Sequence, residues 1–432
     1  MDISDISKKL KEIKINFLDF LFPILPKRRR YIKDFFLKAK NGTITGAADN
    51  DPSGIVTYTQ AGALGNYSLL WIVLISTPLL IAIEETTAIL SIITKKGLGK
   101  LLRNIFGKKI AIFAVAIVLI CNIITMGANL SFVSQTINLF TNLPENFIAL
   151  LFFLFFILLL IRGSYSFVSR FLFALAPLFL SYIVSATLTK PNWGEIVYST
   201  FNPFGIQSKD IWLLAVAVLG TTICPYIIFW QSTEEIEEKK TLKDINEEKW
   251  GVRFGMIYCS LISFSIIITS AATLFGKYIG GIETAKDAAL ALKPFAGELY
   301  FLLFSIGIII SGVLSIPTLA ISTAYGLADV FHWKEGLDKR VSQARNFYLI
   351  LLISLFIGLI INFAQINPVK IIIYSQVLTG LLVPFLIFFL LKLAFNKKVL
   401  KGYQLPLWIK VCLILSFIIF IFVDLVFIIS LL

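Results

Sequence analysis

The stretch Gly46-Ala47-Ala48-Asp49-Asn50-Asp51-Pro52-Ser53-Gly54 lies inside the first long apolar segment of the chain. Proline lacks a backbone donor and clashes with the preceding turn, so a helix through this stretch is predicted to break at Pro52. The break frees backbone carbonyls, which membranes tolerate only where the carbonyls are buried in protein or line a cavity. A carboxylate beside free carbonyls is a hard oxygen site, which indicates a cation pathway.

The composition excludes a soluble protein. Of the 432 residues 57% are hydrophobic, and the mean hydropathy is +0.86, which is typical of a polytopic membrane protein whose main partner is the lipid bilayer. The net charge of +13 is explained by cytoplasmic lysines, so no nucleic-acid partner is expected. The four cysteines are scattered through apolar segments and predict neither a disulfide framework nor a zinc site.

Apolar stretches of about 20 residues predict eleven spanning helices. They cover residues 43–64, 68–93, 110–138, 147–161, 171–189, 211–231, 253–276, 297–325, 346–363, 371–394 and 406–431. With the N-terminus in the cytoplasm, 33 of the 39 Lys and Arg residues fall on the cytoplasmic side. This bias predicts a cell-membrane protein with a cytoplasmic N-terminus and an extracellular C-terminus.

A second proline lies at the middle of span six, in Leu219-Gly220-Thr221-Thr222-Ile223-Cys224-Pro225-Tyr226-Ile227. Spans one and six run in opposite directions, and two broken helices in corresponding positions indicate the central site of a transporter built from inverted repeats. The predicted organisation is a basic cytoplasmic segment (1–42), a first five-helix repeat (43–189), an extracellular loop (190–210), a second repeat (211–394), and a cytoplasmic loop with an eleventh helix (395–432).

These two segments resemble the Nramp family of divalent-metal transporters. The family pattern Asp-Pro-Gly-Asn stands here as Asp51-Pro52-Ser53-Gly54, and Met-Pro-His stands as Cys224-Pro225-Tyr226. Further similarity lies in Gln60-Ala61-Gly62-Ala63, Leu70-Trp71, Ser375-Gln376-Val377 and Pro384-Phe385. The resemblance implies an all-α membrane protein with a LeuT-like 5+5 inverted repeat, discontinuous helices 1 and 6, and an additional eleventh helix.

The departures from the family pattern resemble those of the Nramp-related magnesium transporters. Gly54 stands at the family's metal-binding asparagine, and Cys224 stands at its methionine. Tyr226 replaces a histidine, while Asn122 and Thr125 fall on acidic positions of the third helix. The loss of the soft ligand and of proton-relay groups implies a hard, partly hydrated ion. The thiol of Cys224 works against this inference, because sulfur favours softer metals.

The candidate ligands are led by Asp51. An unpaired aspartate at the bilayer centre costs about 2.5–3.5 kcal/mol, and no Lys or Arg lies in the predicted mid-membrane stretches to pair with it. Ala48 and Thr221 lie three residues before the breaks and are predicted to offer carbonyls. The predicted metal ligands are Asp51, Ala48, Gly54, Thr221, Cys224 and Gln376. The predicted pathway residues are Asp49, Asn50, Ser53, Glu84, Glu85, Asn122 and Tyr226.

Several candidates have a second interpretation. Gly54 either widens the pocket for a hydrated ion or allows close helix packing. Glu84 and Glu85 are adjacent on a helix, so at most one of them lines the pathway. Gln376 either completes the site or bonds between helices. The acidic run at 234–238 is interpreted as a solvated amphipathic helix, because lysines follow it.

The sequence bears on four functions. The favoured one is facilitated, alternating-access uptake of a divalent cation, Mg²⁺ first and Mn²⁺ second, with the metal as substrate and no cofactor. The alternative is a proton-coupled Mn²⁺ or Fe²⁺ importer of the Nramp type. An amino-acid symporter is disfavoured because Asp51 would repel the substrate carboxylate. An intramembrane enzyme is disfavoured because the chain has a single histidine and lacks the HExxH motif.

Overall fold

The computed structural model describes residues 42, 45–162, 176–203, 208–277, 280–293, 297, 300–364 and 366–431. Within these ranges every regular element is helical, as the composition predicts. The basic segment predicted at 1–42 lies outside the described residues, apart from Gly42.

The α-helices are numbered here in chain order. They are α1 (45–49), α2 (Pro52–Gly65), α3 (Leu70–Thr94), α4 (Leu98–Phe106), α5 (Lys108–Thr141), α6 (Glu145–Arg162), α7 (Leu180–Leu188), α8 (Trp193–Phe201), α9 (Lys209–Thr222), α10 (Pro225–Glu237), α11 (Ile245–Leu274), α12 (Ala285–Ala289), α13 (Tyr300–Phe331), α14 (Arg345–Phe363), α15 (Pro368–Ala394) and α16 (Leu407–Leu431). Span one is thus α1 with α2, and span six is α9 with α10.

Eight segments of the described chain are long and apolar enough to cross a membrane. The predicted spans one, four and five correspond to the shorter helices α1 with α2, α6 and α7. Span eight is predicted over residues 297–325, and the helix that contains most of it, α13, runs to Phe331. The last turn of α13 carries Asp329, whose carboxylate lies 3.2 Å from the Lys100 ammonium.

Lys100 lies on α4, outside the spanning helices, and also pairs with Glu335. Burial lowers the pKa of the Lys100 ammonium, but the carboxylates of Asp329 and Glu335 outweigh burial and leave this pKa above its ordinary value. The ion pairs therefore tie the connection between spans two and three to the end of span eight.

Glycines allow the closest helix contacts around the broken spans. A Cβ at Gly46 would lie 2.2 Å from the carbonyl oxygen of Gly255 on α11, and a Cβ at Gly42 would lie 1.7 Å from that of Gly251. A Cβ at Gly220 of α9 would lie 2.2 Å from the carbonyl oxygen of Gln376 on α15. Small residues at such crossings let backbones approach closely, so each broken helix is held against a continuous one.

Candidate functional site

Span one breaks at Asn50 and Asp51, where Asp51 has extended backbone angles (φ −72°, ψ 169°) and caps the N-terminus of α2. Oδ1 of Asp51 accepts a 2.6 Å hydrogen bond from the backbone N–H of Gly54. Oδ2 accepts from Ser53 Oγ at 2.5 Å and from Asn129 Nδ2 at 2.8 Å. The carboxylate is 1% exposed, and its described donors are all neutral. Capping therefore gives Asp51 a structural role in addition to the predicted ligand role.

Span six breaks at Ile223 and Cys224. Cys224 is extended (φ −83°, ψ 137°), and Pro225 begins α10, where a missing N–H costs nothing. The thiol of Cys224 donates to the carbonyl of Thr221 at 2.9 Å. The predicted break is therefore present, and the carbonyl predicted as a metal ligand already has a thiol donor.

The two breaks lie next to each other and are joined by hydrogen bonds. The hydroxyl of Tyr226 donates to the carbonyl of Ala48 at 2.7 Å, and Tyr58 Oη lies 2.9 Å from Thr222 Oγ1. A Cβ at Gly54 would lie 3.3 Å from Thr221 Oγ1. The halves of the repeat thus meet where the sequence places the metal ligands.

Span ten joins this centre through Gln376. Its Nε2 donates to Ser53 Oγ at 3.0 Å and to Thr125 Oγ1 at 3.4 Å. Because Ser53 in turn donates to Asp51, Gln376 reaches the carboxylate through one hydroxyl. The interhelical bonding that the sequence left open for Gln376 is therefore present.

The residues before Asp51 contact other continuous helices. Ser311 on α13 donates to the carbonyl of Asn50 at 2.8 Å, while Asn50 itself donates to the carbonyl of Gly46. Cys259 on α11 lies with its Sγ 3.0 Å from Oδ2 of Asp49. Asp49 is buried, at 1% exposure, so it does not face an open vestibule in this conformation.

Unpartnered oxygens surround the centre. In the described part of the chain, Thr221 Oγ1, Asn129 Oδ1, Asp49 Oδ1 and both carboxylate oxygens of Glu84 are buried without a hydrogen-bond partner. Buried polar groups are normally paired, so such oxygens are candidates for a ligand. No group of three or more His, Cys, Asp or Glu side chains in the described ranges is placed to hold a metal ion, which leaves a mixed oxygen set around Asp51.

The neighbours Glu84 and Glu85 point to different surroundings. Glu85 pairs with Arg253 of α11, whose guanidinium lies over the Trp408 ring at 5.3 Å. Glu84 has no such partner among the described residues. Its electrostatic neighbours include the carboxylates of Asp49 and Glu234. The sequence predicts that at most one of these two glutamates lines the pathway, and their different surroundings are consistent with that prediction.

The structure adds contacts to one further prediction and corrects another. Asn122, predicted as a pathway residue, donates to Ser322 and Thr323 on α13 at 3.0 Å each, so it links α5 to α13. The acidic run was interpreted as solvated, but Glu234 and Glu235 are buried at 0% and 2% exposure. That interpretation was wrong at these two positions, because α10 continues inside the bundle through both.

Sequence reasoning missed Asn129 and Cys259. Both lie in long helices, α5 and α11, and which face of such a helix meets span one depends on tertiary packing. The available signal was weak: Asn129 is a polar residue in an apolar span, where polar side chains mark functional or interhelical contacts.

An all-helical bundle with two opposed, broken helices meeting at a buried carboxylate is the arrangement of a secondary transporter. The sequence matches the family described as "Natural resistance-associated macrophage protein-like", Nramp, over residues 42–430. The chain therefore belongs to the Nramp family.

Individual proteins show the same likeness. A divalent metal cation transporter, MntH, of Caldanaerobacter subterraneus subsp. tengcongensis is 27% identical over 361 residues, which are 80% of this chain and 82% of that protein. The crystal structure of the Eremococcus coleocola manganese transporter, in complex with an aromatic bis-isothiourea substituted compound, superposes with a TM-score of 0.74. It is 18% identical and covers 93% of this chain and 88% of its own.

The fold extends to other transporter families. Mhp1, a nucleobase-cation-symport-1 family transporter, has a TM-score of 0.58 at 11% identity and covers 90% of this chain and 92% of its own. These structural likenesses establish the LeuT-like fold. Membership of the Nramp family makes the chain a multi-pass membrane transporter for divalent metal, not an enzyme, with the metal as substrate rather than cofactor.

Proposed function

We propose that this transporter takes up Mg²⁺, with Mn²⁺ as a second substrate, by facilitated alternating access without proton coupling. The observation that carries the proposal is the setting of Asp51, a buried carboxylate at the break whose described partners are the neutral groups of Gly54, Ser53 and Asn129. One fixed negative charge surrounded by neutral oxygens suits a divalent ion that keeps part of its water shell.

The oxygens at the two breaks keep unused acceptor capacity for such an ion. A carboxylate accepts about four hydrogen bonds or metal contacts, and Asp51 uses three with described partners. The carbonyls of Ala48 and Thr221 each have one donor and keep a second lone pair. Thr221 Oγ1 has no described partner. These oxygens supply few direct ligands, so water completes the coordination.

Gly54 and Cys224 bear on selectivity. At Gly54 a Cβ would come within 3.2 Å of Asp51 Oδ1 and 3.3 Å of Thr221 Oγ1, so in this conformation the glycine lets the two breaks approach closely, and a larger residue would have to push these oxygens apart. The Cys224 thiol is directed to the Thr221 carbonyl, and in that orientation it offers its proton there. Sulfur would still favour Mn²⁺ or Cd²⁺ over Mg²⁺ if it turned to the ion.

The absence of proton coupling is proposed from the residues at the family's relay positions. Tyr226 donates to Ala48, Asn122 donates to α13, and Thr125 contacts Gln376. None of these three side chains changes charge near neutral pH. They cannot carry a proton as a histidine or carboxylate does.

The alternative function is a proton-coupled Mn²⁺ or Fe²⁺ importer. It is supported by the likeness to MntH, named as a divalent metal cation transporter, and by Glu84, which has no described partner and could carry a proton. We further propose a cell-membrane location with the N-terminus in the cytoplasm, and the five-part organisation predicted from the sequence.

Uptake into liposomes tests the function. The purified full chain should carry Mg²⁺ and, more weakly, Mn²⁺ into vesicles that contain a metal-sensitive dye. Asp51→Asn keeps a side chain able to cap α2 but removes the charge, and it should abolish uptake while the protein stays monodisperse. Near-normal uptake by Asp51→Asn would refute the proposed site, and uptake of Mn²⁺ without Mg²⁺ would favour the alternative.

A further inference from the structure

Glu84 is the least satisfied acidic side chain of the spanning helices in the described part of the chain. It lies on α3 at 0% exposure, and both Oε1 and Oε2 lack a hydrogen-bond partner among the described residues. A buried carboxylate is normally paired, hydrogen-bonded or bound to a cation. Glu84 therefore needs a cation or a proton that the described residues do not supply.

The surroundings of Glu84 add negative charge. Its electrostatic neighbours are Asp49 on α1 and Glu234 on α10. Asp49 leaves Oδ1 without a described partner, while Glu234 accepts a 3.1 Å hydrogen bond from Thr45 Oγ1. These three carboxylates come from three different segments, and two of those segments are the halves of the broken spans on the same side of the breaks.

The nearby basic side chains are engaged elsewhere. Arg253 pairs with Glu85, and Lys240 lies 3.3 Å from Glu248 and 3.5 Å from Glu238. Neutralising charge at Glu84 must then come from outside the described chain, as a cation or as a proton.

We propose that Glu84, Asp49 and Glu234 form a second station for a hydrated divalent cation, which the ion occupies after it leaves Asp51. This inference rests on the proposed function, because it assigns the next position of the same substrate. Asp49 precedes Asp51 by two residues, and Glu234 follows the second break on α10. The station thus lies along α1 and α10, on the side that the charge bias assigns to the cytoplasm.

The occupant is a hydrated ion rather than a bare one. Within the described residues, no three acidic, cysteine or histidine side chains are close enough to hold a metal directly. Mg²⁺ keeps several waters, and those waters donate hydrogen bonds to carboxylates that are too far apart to chelate. Such a station binds weakly enough to release its ion, as conduction through successive sites requires.

The test compares binding and transport in the purified full chain. Titration calorimetry with Mg²⁺ should give two binding events in the unmodified protein and one in Glu84→Gln, which copies the shape of a protonated glutamate. Glu84→Asp keeps the charge and should retain both events. Glu235→Gln is the matched control: Glu235 is also buried but accepts from Gln231 at 2.7 Å, and the variant should retain both events.

Transport gives the second readout. If the station speeds release, Glu84→Gln should lower the maximal uptake rate about tenfold while KM for external Mg²⁺ changes by less than about twofold. Two binding events and an unchanged maximal rate in Glu84→Gln would overturn the station and leave the Asp51 site standing. Normal uptake by Asp51→Asn would overturn the proposed function instead. The number of binding events in Glu84→Gln would still show whether the second station binds an ion.

Discussion

The hydroxyl of Tyr226 donates a 2.7 Å hydrogen bond to the carbonyl oxygen of Ala48, and this bond joins the two broken helices. The carbonyl freed by the first break is thereby satisfied by the residue that follows the proline of the second. The thiol of Cys224 satisfies the Thr221 carbonyl in the same way. Backbone groups exposed by a break at membrane depth must find such partners, and these two bonds stabilise the breaks in this conformation.

Tyr226→Phe should destabilise the protein and slow uptake. It removes one hydrogen bond and leaves a buried acceptor unsatisfied, at a cost of about 1–3 kcal/mol. Thermal unfolding in detergent and Mg²⁺ uptake are the measurements. Tyr182→Phe is the matched control, because the buried Tyr182 hydroxyl has no partner in the described chain. Equal stability of both variants would contradict a role for the Tyr226 bond.

Cys224→Ala should change selectivity rather than activity. Mg²⁺ uptake should stay within about twofold, while competition by Cd²⁺ and uptake of Mn²⁺ weaken, since only softer ions gain from sulfur. Uptake of each metal alone and in competition measures this. Cys412→Ala, on α16 and partly exposed, should behave as the unmodified protein. Equal losses for all ions in Cys224→Ala would mean that the thiol serves packing.

Gly255→Ala should damage the contact between α11 and the chain that leads into span one. The added Cβ would lie 1.8 Å from the carbonyl oxygen of Gly42, and forcing atoms into such a contact costs about 1–3 kcal/mol. The expected result is a lower unfolding temperature and reduced uptake. Gly307→Ala on α13 is the control, because its Cβ would meet no atom within 4 Å. An unaffected Gly255→Ala variant would show that this contact opens at little cost.

The two breaks were predictable from the sequence because proline disrupts a helix, but not every proline in a spanning segment breaks its helix. Pro52 and Pro225 begin new helices, whereas Pro78, Pro317 and Pro384 lie inside α3, α13 and α15. Proline alone therefore does not end a spanning helix. At the two breaks the preceding residue is extended, which is the conformation that a following proline favours.

The surroundings of the site were not predictable in the same way. Asn129 contacts Asp51 from a helix 78 positions later in the chain, and Cys259 contacts Asp49 from 210 positions later. Such contacts depend on the rotation of whole helices, which hydropathy does not determine when both faces are apolar. The burial of Glu234 was missed because charge patterning describes a solvated helix and cannot detect a polar pathway between helices.

The proposed orientation rests on the distribution of Lys and Arg, because the predicted spans assign 33 of the 39 to the cytoplasmic side. A short epitope added after Leu432 should therefore be labelled on intact cells, and an epitope at Met1 should be labelled only after permeabilisation. Labelling intensity with and without detergent is the measurement. Cytoplasmic labelling at both ends would require an even number of spans and would contradict the eleven-span assignment.

Metal uptake should move charge inward without acidifying the vesicle interior. Coupled transport needs a pathway group that gains and loses a proton in the working pH range. At the positions where the resemblance to the family places such groups, this chain has Tyr226, Asn122 and Thr125. The remaining candidates are Glu85, which is paired with Arg253, and Glu84, proposed above to meet the cation itself. Vesicles that contain an internal pH dye and a membrane-potential dye distinguish uncoupled from proton-coupled uptake. Metal-dependent acidification that disappears in Glu84→Gln or Glu85→Gln would establish proton coupling and favour the Mn²⁺ or Fe²⁺ importer.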